Sequence, residues 1–216
     1  IAGGGIAGMS AAICLSKKGI PVTVYEKSSK AGQSRHGDYE GLENWIFNES
    51  ISSFFSNIGF DYSQIQSSPV TSFMVHSINK KPLLIENKEP FFFLVKRGDK
   101  TNDFDNQLYQ QCKRVGVEFK FNTNAPDGCH IIATGTRKAS AYVHGSSFKT
   151  AQKNQVHLLL GSKFSPKGYA YLIINNGYGT IATAFKKVNN NNNYYLENCK
   201  KYFRKLNIEY LADIIN

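Results

Sequence analysis

The chain opens on a glycine pattern, Gly3, Gly5 and Gly8 in G-x-G-x-x-G spacing, followed by an alanine-rich stretch and then by Val22-Thr23-Val24-Tyr25-Glu26. The three glycines serve different physical ends, namely a tight turn out of a strand, room for backbone to approach a pyrophosphate, and close packing of helix on strand. The helix beginning at Ile6 and Ala7 turns its free N–H groups and positive dipole end toward such an anion. Ala7, Ala11 and Ala12 are small where the helix is expected to approach a sheet, Leu15 lies one turn on, and Gly19 and Pro21 end the element. Glu26, at the end of the second strand, is placed to accept hydrogen bonds from both ribose hydroxyls of an adenosine, and it would repel a 2′-phosphate. Strand, glycines, helix, strand and acid in this order predict a dinucleotide-binding βαβ unit; the plain alternative is the same unit with a tight turn and no ligand.

Residues 27–49 read as a polar, glycine-punctuated loop containing Arg35 and His36, and loops after the strands of such sheets hold ligands. Arg35 could meet a phosphate there or stay in solvent. Trp45, Ile46, Phe54, Phe55 and Ile58 predict a helix with one apolar face that ends at Gly59. The period then changes: Val70–Ile78, Pro82–Glu86 and Phe91–Val95 read as strands with turns between them, an antiparallel insertion. A helical stripe follows in Phe104, Leu108, Cys112 and Val115, with Gly116 as its stop. Val117, Phe119 and Phe121 alternate as a strand, and His130–Gly135 is an apolar strand whose Ala133-Thr134-Gly135 end can bring bare backbone against a cofactor.

Further strands are predicted at Val156–Leu160, Tyr169–Ile174 and Gly179–Phe185, the last two joined by a hairpin at Asn175-Asn176-Gly177. Asn189–Asn193 reads as a connector, and Tyr194–Leu206 and Ile208–Ile215 as helices. The fold class is therefore α/β: a Rossmann-like domain over residues 1–66 and 92–142, an inserted antiparallel-sheet domain over 67–91 and 143–188, and a linker with C-terminal helices over 189–216.

Charge and cysteines narrow the functional classes. A net charge of +10 over 216 residues suits an anionic cofactor, a phosphorylated substrate or an anionic membrane surface, or simply a solvated lysine-rich exterior. No aromatic-basic motif points to nucleic acid. Cys14, Cys112, Cys129 and Cys199 lack metal-ligand spacing, so reduced structural thiols and no metal centre are expected. No apolar run approaches the length of a membrane span and no signal peptide is evident, which predicts a cytoplasmic protein with peripheral membrane contact as a candidate.

Four segments carry a family resemblance: Gly3, Gly5, Gly8 and Glu26; Arg97 ahead of Phe104-Asp105-x-x-Leu108; Ala133-Thr134-Gly135; and Pro166-Lys167-Gly168-Tyr169-Ala170-Tyr171. With these in order, nearly the whole chain resembles the FAD-dependent oxidoreductases built like the aromatic hydroxylases. Among them it looks most like the geranylgeranyl reductase family. The last segment is similar to that family's Pro-x-x-Tyr-x-Trp-x-Phe-Pro motif, with Tyr171 in place of Trp and Leu172-Ile173-Ile174 in place of the following Phe-Pro. The family's cysteine-bearing loop has no counterpart after Glu26, and its Gly-Asp flavin motif lies beyond residue 216, so the resemblance implies a chain short of the family's C-terminal part.

The resemblance implies FAD as cofactor, with Gly5, Ile6, Ala7 and Gly8 at the pyrophosphate, Glu26 at the adenosine ribose, Lys27 beside it, and Arg97 near the phosphates or ribityl chain. It implies a reductase that passes hydride from reduced flavin to a C=C bond of a hydrophobic, isoprenoid-like substrate, with NADH or NADPH as candidate electron donors. Tyr169 and Tyr171 would border the substrate cavity, together with Phe73, Phe91, Phe92 and Phe93. Tyr169, Tyr171 and His157 are candidate general acids by location only, and no catalytic residue is assigned. The alternatives are a flavin monooxygenase or halogenase on the same fold, and a non-catalytic dinucleotide-binding module.

Overall fold

A computed structural model describes residues 1–45, 48–136, 139–186, 191–208 and 212–214. In chain order, α1 (Ile6–Ser16) leads to β1 (Thr23–Tyr25), β2 (Tyr39–Glu43) and α2 (Ile51–Asn57). Next come β3 (Ser68–Val70), β4 (Ser72–Ser77), β5 (Leu83–Glu86) and β6 (Phe92–Lys96). After α3 (Phe104–Arg114) and β7 (Glu118–Lys120) the chain lays down β8 (Tyr142–Lys149), β9 (Gln155–Leu160), β10 (Tyr169–Asn175) and β11 (Tyr178–Phe185). It closes with α4 (Asn192–Arg204) and β12 (Ala212–Ile214). Two compact units result, Ile1–Ser67 with Phe93–Arg137, and Ser68–Phe92 with Lys138–Asn216.

The first unit is Rossmann-like. β1 pairs in parallel with β7 through Val24 and Phe119, and Ala2 forms parallel bridges to Tyr25 on one side and Ile132 on the other. Parallel neighbours need crossovers, and α1 and α3 supply them. The predicted stripe of α3 is buried, with Phe104, Leu108 and Cys112 packed into one core with Met9, Ala12, Ile13 and Val24. Burying a large apolar side chain of this kind contributes about 1.5–3 kcal/mol.

Three local expectations change. The buried face of α1 carries Gly8, Met9, Ala12 and Ile13, whereas Ala7 is exposed and Ala11 half-buried. Ala12 is buried as expected, but the larger Met9 and Ile13 share the core side with it, and Gly8 makes the close approach to backbone. The stretch expected as loop contains β2, a strand because β6 lies beside it and not because Tyr39-Glu40-Gly41-Leu42-Glu43 favours extended backbone. Ser50 caps α2, its hydroxyl accepting from the Ser53 N–H at 3.2 Å, so Trp45 lies outside the helix and is exposed; Ile46 lies outside the described residues.

The second unit is a seven-stranded sheet in the order β12-β8-β11-β10-β9-β4-β5, with β4 and β9 parallel and the other described pairings antiparallel. α4 packs on one face, where Leu196, Cys199 and Phe203 meet Phe148, Leu159, Leu172, Ile174 and Ile181. The predicted Asn-Gly hairpin joins β10 to β11, with φ of +51° at Asn176 and +79° at Gly177, the twist a two-residue turn requires. Two segments depart from expectation. β8 pairs along its whole length with β11, although the sequence pattern predicts no strand there. Ala212–Ile214 is a strand on β8 and not part of a helix, while 209–211 and 215 lie outside the described residues. α4 belongs to the core of this unit rather than to a separate C-terminal segment, and it starts at Asn192 inside the expected connector, of which Asn189 and Asn190 are not described.

At Gly177 the space around an added methyl group is open, the nearest atom being the Thr150 carbonyl oxygen at 3.7 Å. The cost of Gly177→Ala is therefore backbone strain alone. Urea denaturation should show a loss of about 1–2 kcal/mol, and no loss would mean that the turn relaxes to another type.

Candidate functional site

The glycine loop is built by close backbone approach. A side chain on Gly3, whose φ is +96°, would lie 2.5 Å from the Ala133 carbonyl oxygen, and one on Gly8 would overlap the Gly3 carbonyl oxygen. Gly5 is the contrast: a Cβ there meets nothing within 4 Å. It is the N-cap of α1, and no side-chain hydrogen bond caps the helix there, so the start of the helix opens onto free space at Gly5. Gly5 and Ala7 are exposed at this point, and Ile6 is half-buried.

Glu26 stands over this loop. One carboxylate oxygen accepts from the Gly4 N–H at 2.7 Å and the other from the Ser28 N–H at 2.8 Å. The acid therefore shapes the loop as well as being able to receive a ribose. Thr134 and Gly135 are exposed beyond Ala133, and Lys27 is exposed beside Glu26. An open, uncapped helix start, a cradle closed to side chains and an acid with further lone pairs fit the diphosphate and ribose of a dinucleotide.

Arg97 builds a second cluster. It is 4% exposed; its Nε and Nη2 donate to the two oxygens of Asp105 at 2.8 Å each, and its Nη1 donates to Glu40. Asp105 also accepts from the Gly98 N–H at 3.1 Å. Arg35, exposed, sits 3.5 Å from the other oxygen of Glu40. Burial alone would lower the Arg97 guanidinium, but Asp105 and Glu40 outweigh it and raise the group further, so it stays charged. The sequence pattern assigns no role to either Glu40 or Asp105. An acid in the first turn of α3, eight residues after an arginine, is the signal for Asp105; Glu40 has none, since β2 is not evident from its residues.

In the second unit, Tyr169 is 47% exposed and Tyr171 half-buried. Cross-strand register places Leu83, Val75, Leu158, Tyr171 and Ala182 in one row across five strands, with Ser77, Leu160, Tyr169, Ala184 and Val143 in the next row on the same face. No charged side chain stands in either row. His157 is on the opposite face, opposite Leu172 under α4, which removes it as a general acid for anything bound beside Tyr169 and Tyr171. Phe91 and Phe92 do pack around Phe73, whereas Phe93 packs against Tyr62 in the first unit. Burial pushes the Cys112 and Cys199 thiols up to about 12, which keeps them protonated. Among the described residues no cluster of His, Cys, Asp and Glu could hold a metal ion, and no helix is long and apolar enough to cross a membrane.

Residues 1–61 match the family model of an NAD(P)-binding Rossmann-like domain. Among solved structures, the chain is similar over 99% of its length to a geranylgeranyl bacteriochlorophyll reductase-like protein from Thermoplasma acidophilum, at 17% identity and a TM-score of 0.65. It is similar over 98% of its length to the myxobacterial chondrochloren halogenase, an FAD-dependent halogenase, at 12% identity and a TM-score of 0.62. A third similarity, over 88% at 15% identity and a TM-score of 0.57, is to the protein CtdE in complex with FAD. The chain spans 63%, 58% and 59% of these three proteins. No curated protein matches it in sequence. The chain thus shares the fold of these solved proteins, with a Rossmann-like domain and an antiparallel sheet.

Two substitutions test the clusters. Gly8→Ala forces a methyl group against the Gly3 carbonyl and should cost about 1–3 kcal/mol in thermal unfolding. Asp105→Asn leaves the buried Arg97 short of its principal counter-charge and should cost about 3–5 kcal/mol, read by chemical denaturation; a cost below about 1 kcal/mol would show that Glu40 alone suffices.

Proposed function

We propose that this chain binds the cofactor and presents the substrate-facing sheet of an FAD-dependent reductase that acts on a C=C bond of a hydrophobic, isoprenoid-like substrate. The observation that carries the reading is the apolar sheet face, where aliphatic side chains, Ser77, Tyr169 and Tyr171 form two charge-free rows. A polyisoprenoid offers only methyl-branched hydrocarbon, which such a face can receive without burying a charge.

When bound, FAD supplies the two-electron chemistry, with NADH or NADPH as the proposed donor. The protein's part is to hold and to orient. The amides at the start of α1, from Gly5 through Gly8, would take the pyrophosphate, and Glu26 the adenosine ribose with Lys27 alongside. Ala133, Thr134 and Gly135 would border the cofactor with bare or small groups. Arg97 and Arg35 would serve the site as positioning charge: Arg97 ties Asp105 and Glu40 together, and Glu40 in turn holds Arg35. Tyr169 and Tyr171 would pack on the substrate, and either phenol is a candidate proton donor to the carbon left after reduction. A contact with a membrane surface follows from a lipid substrate and the basic net charge.

FAD binding is measured by flavin fluorescence. A Glu26→Gln variant loses a charged hydrogen-bond acceptor worth about 1.5–3 kcal/mol, so the Kd for FAD should rise on the order of 10- to 100-fold. The reaction is tested by reducing bound flavin anaerobically and following its reoxidation by polyprenyl compounds. Reoxidation with loss of a C=C bond supports the reductase. Reoxidation only by O2, with hydroxylation or halide incorporation, would replace it by the monooxygenase or halogenase reading, and failure to bind any flavin would leave the non-catalytic module.

A further inference from the structure

Beneath α4 the second unit buries a line of polar groups that the proposed chemistry does not use. His76 on β4 and His157 on β9 are 2% and 8% exposed, and their rings meet with Nε2 of His76 at 2.8 Å from Nδ1 of His157. On one side Nε2 of His157 lies 2.7 Å from Oε1 of Gln155, and on the other Nδ1 of His76 lies 3.1 Å from the Tyr202 hydroxyl of α4. The rings also pack edge-on against Phe203 of α4.

Hydrogen-bond logic sets every proton in this line. The amide nitrogen of Gln155 donates to the Lys153 carbonyl at 3.1 Å, so its oxygen is the end that faces His157. His157 must then donate from Nε2 and accept at Nδ1. His76 must donate from Nε2 and accept at Nδ1, which leaves Tyr202 as the donor. Both imidazoles are neutral, each in a single tautomer. One added proton can be housed at Nδ1 of His76 only if the Tyr202 hydroxyl turns to accept, or at Nδ1 of His157 only if His76 also switches tautomer. A second proton sets N–H against N–H across the 2.8 Å gap, where no hydrogen bond is possible.

We propose that His76, His157 and Tyr202 form an acid-sensitive latch that ties α4 to the sheet and releases it on protonation. Among the described residues, the side chains around the two rings give an imidazolium no counter-ion. The register partners on this face are Met74, Leu159 and Leu172, and α4 adds Tyr202, Phe203 and the protonated Cys199. Glu86 of β5 is opposite Ser72, four residues from His76, and Lys80 and Lys81 lie in the β4–β5 turn. Lys153 contributes its carbonyl only, Glu197 pairs with Lys200 on α4, and Lys201 and Arg204 add positive charge to that helix. His144, at the far end of α4, is 2.7 Å from Asn193 and outside the line. Burial lowers both rings, and His157, further lowered by His76, falls to about 4.

The sign follows from linkage. A histidine lowered from 6.5 unfolded to about 4 folded binds fewer protons in the native state, so its contribution is complete above pH 6.5 and is lost as pH falls toward 4. For His157 alone, the ratio of docked to undocked α4 falls roughly 50- to 100-fold between about pH 7.5 and 4.5. The inference does not depend on FAD or on any substrate.

Hydrogen exchange over residues 192–204, corrected for the intrinsic pH dependence of exchange and referred to α3, tests it. Protection of α4 should fall by that factor in the wild type. In a His76→Gln/His157→Gln double variant, whose amides can repeat the same donor and acceptor pattern without titrating, it should stay level. Equal loss in both proteins, or no loss in the wild type, overturns the latch. Should the double variant not fold, NMR titration of the wild-type rings decides: values below about 5 accompanied by α4 shifts uphold it, and values above about 6 for both rings overturn it.

Discussion

The Gly3 carbonyl oxygen occupies the space that a side chain on Gly8 would fill, and the Rossmann-like unit of the molecule is arranged around that approach. Because the turn can be this tight, α1 starts directly behind the strand edge and opens onto free space at Gly5. Because Gly4 lies within reach of Glu26, the same acid that could receive a ribose also braces the turn. Loop shape and ligand chemistry are therefore coupled through one carboxylate, and a change at Glu26 acts on both.

Arg97 presents a different balance. Removing a guanidinium from water is costly, and the attraction of two carboxylates offsets that cost only when the geometry is good. Here the fork of Arg97 meets both oxygens of Asp105, and a second acid, Glu40, engages the remaining nitrogen. The result connects the end of β6, the first turn of α3 and strand β2. Its contribution is to specify one arrangement of these elements, beyond whatever net stability it adds.

The sheet of the second unit separates two chemistries by the alternation of side chains along each strand. One face takes α4, a core of Phe148, Leu159, Leu172, Ile181 and Phe203, and the line of histidines. The other keeps charge out of two full rows. Neighbours in sequence, such as His157 and Leu158, belong to different environments for this reason alone.

Much of this is legible in the amino-acid sequence, because it rests on local rules. Glycine spacing, the stripe of α3, the Asn-Gly hairpin and the alternation in β9 to β11 are each decided within a few residues. β2, β8 and β12 are not legible: their sequences are rich in glycine, serine or charge, or are only three residues long, and they are strands because a partner strand is there to pair with. The same holds for the sites. That Gly3, Gly5, Gly8 and Glu26 form a cradle with an acid beside it follows from the order of residues alone, since a backbone turn and the strand that follows bring them together. Folding in three dimensions was needed to match Arg97 with Asp105 and Glu40, to turn His157 toward α4 and away from the apolar rows, and to bring it against His76, 81 residues away. Contacts of that separation depend on strand order and register, which no local pattern encodes.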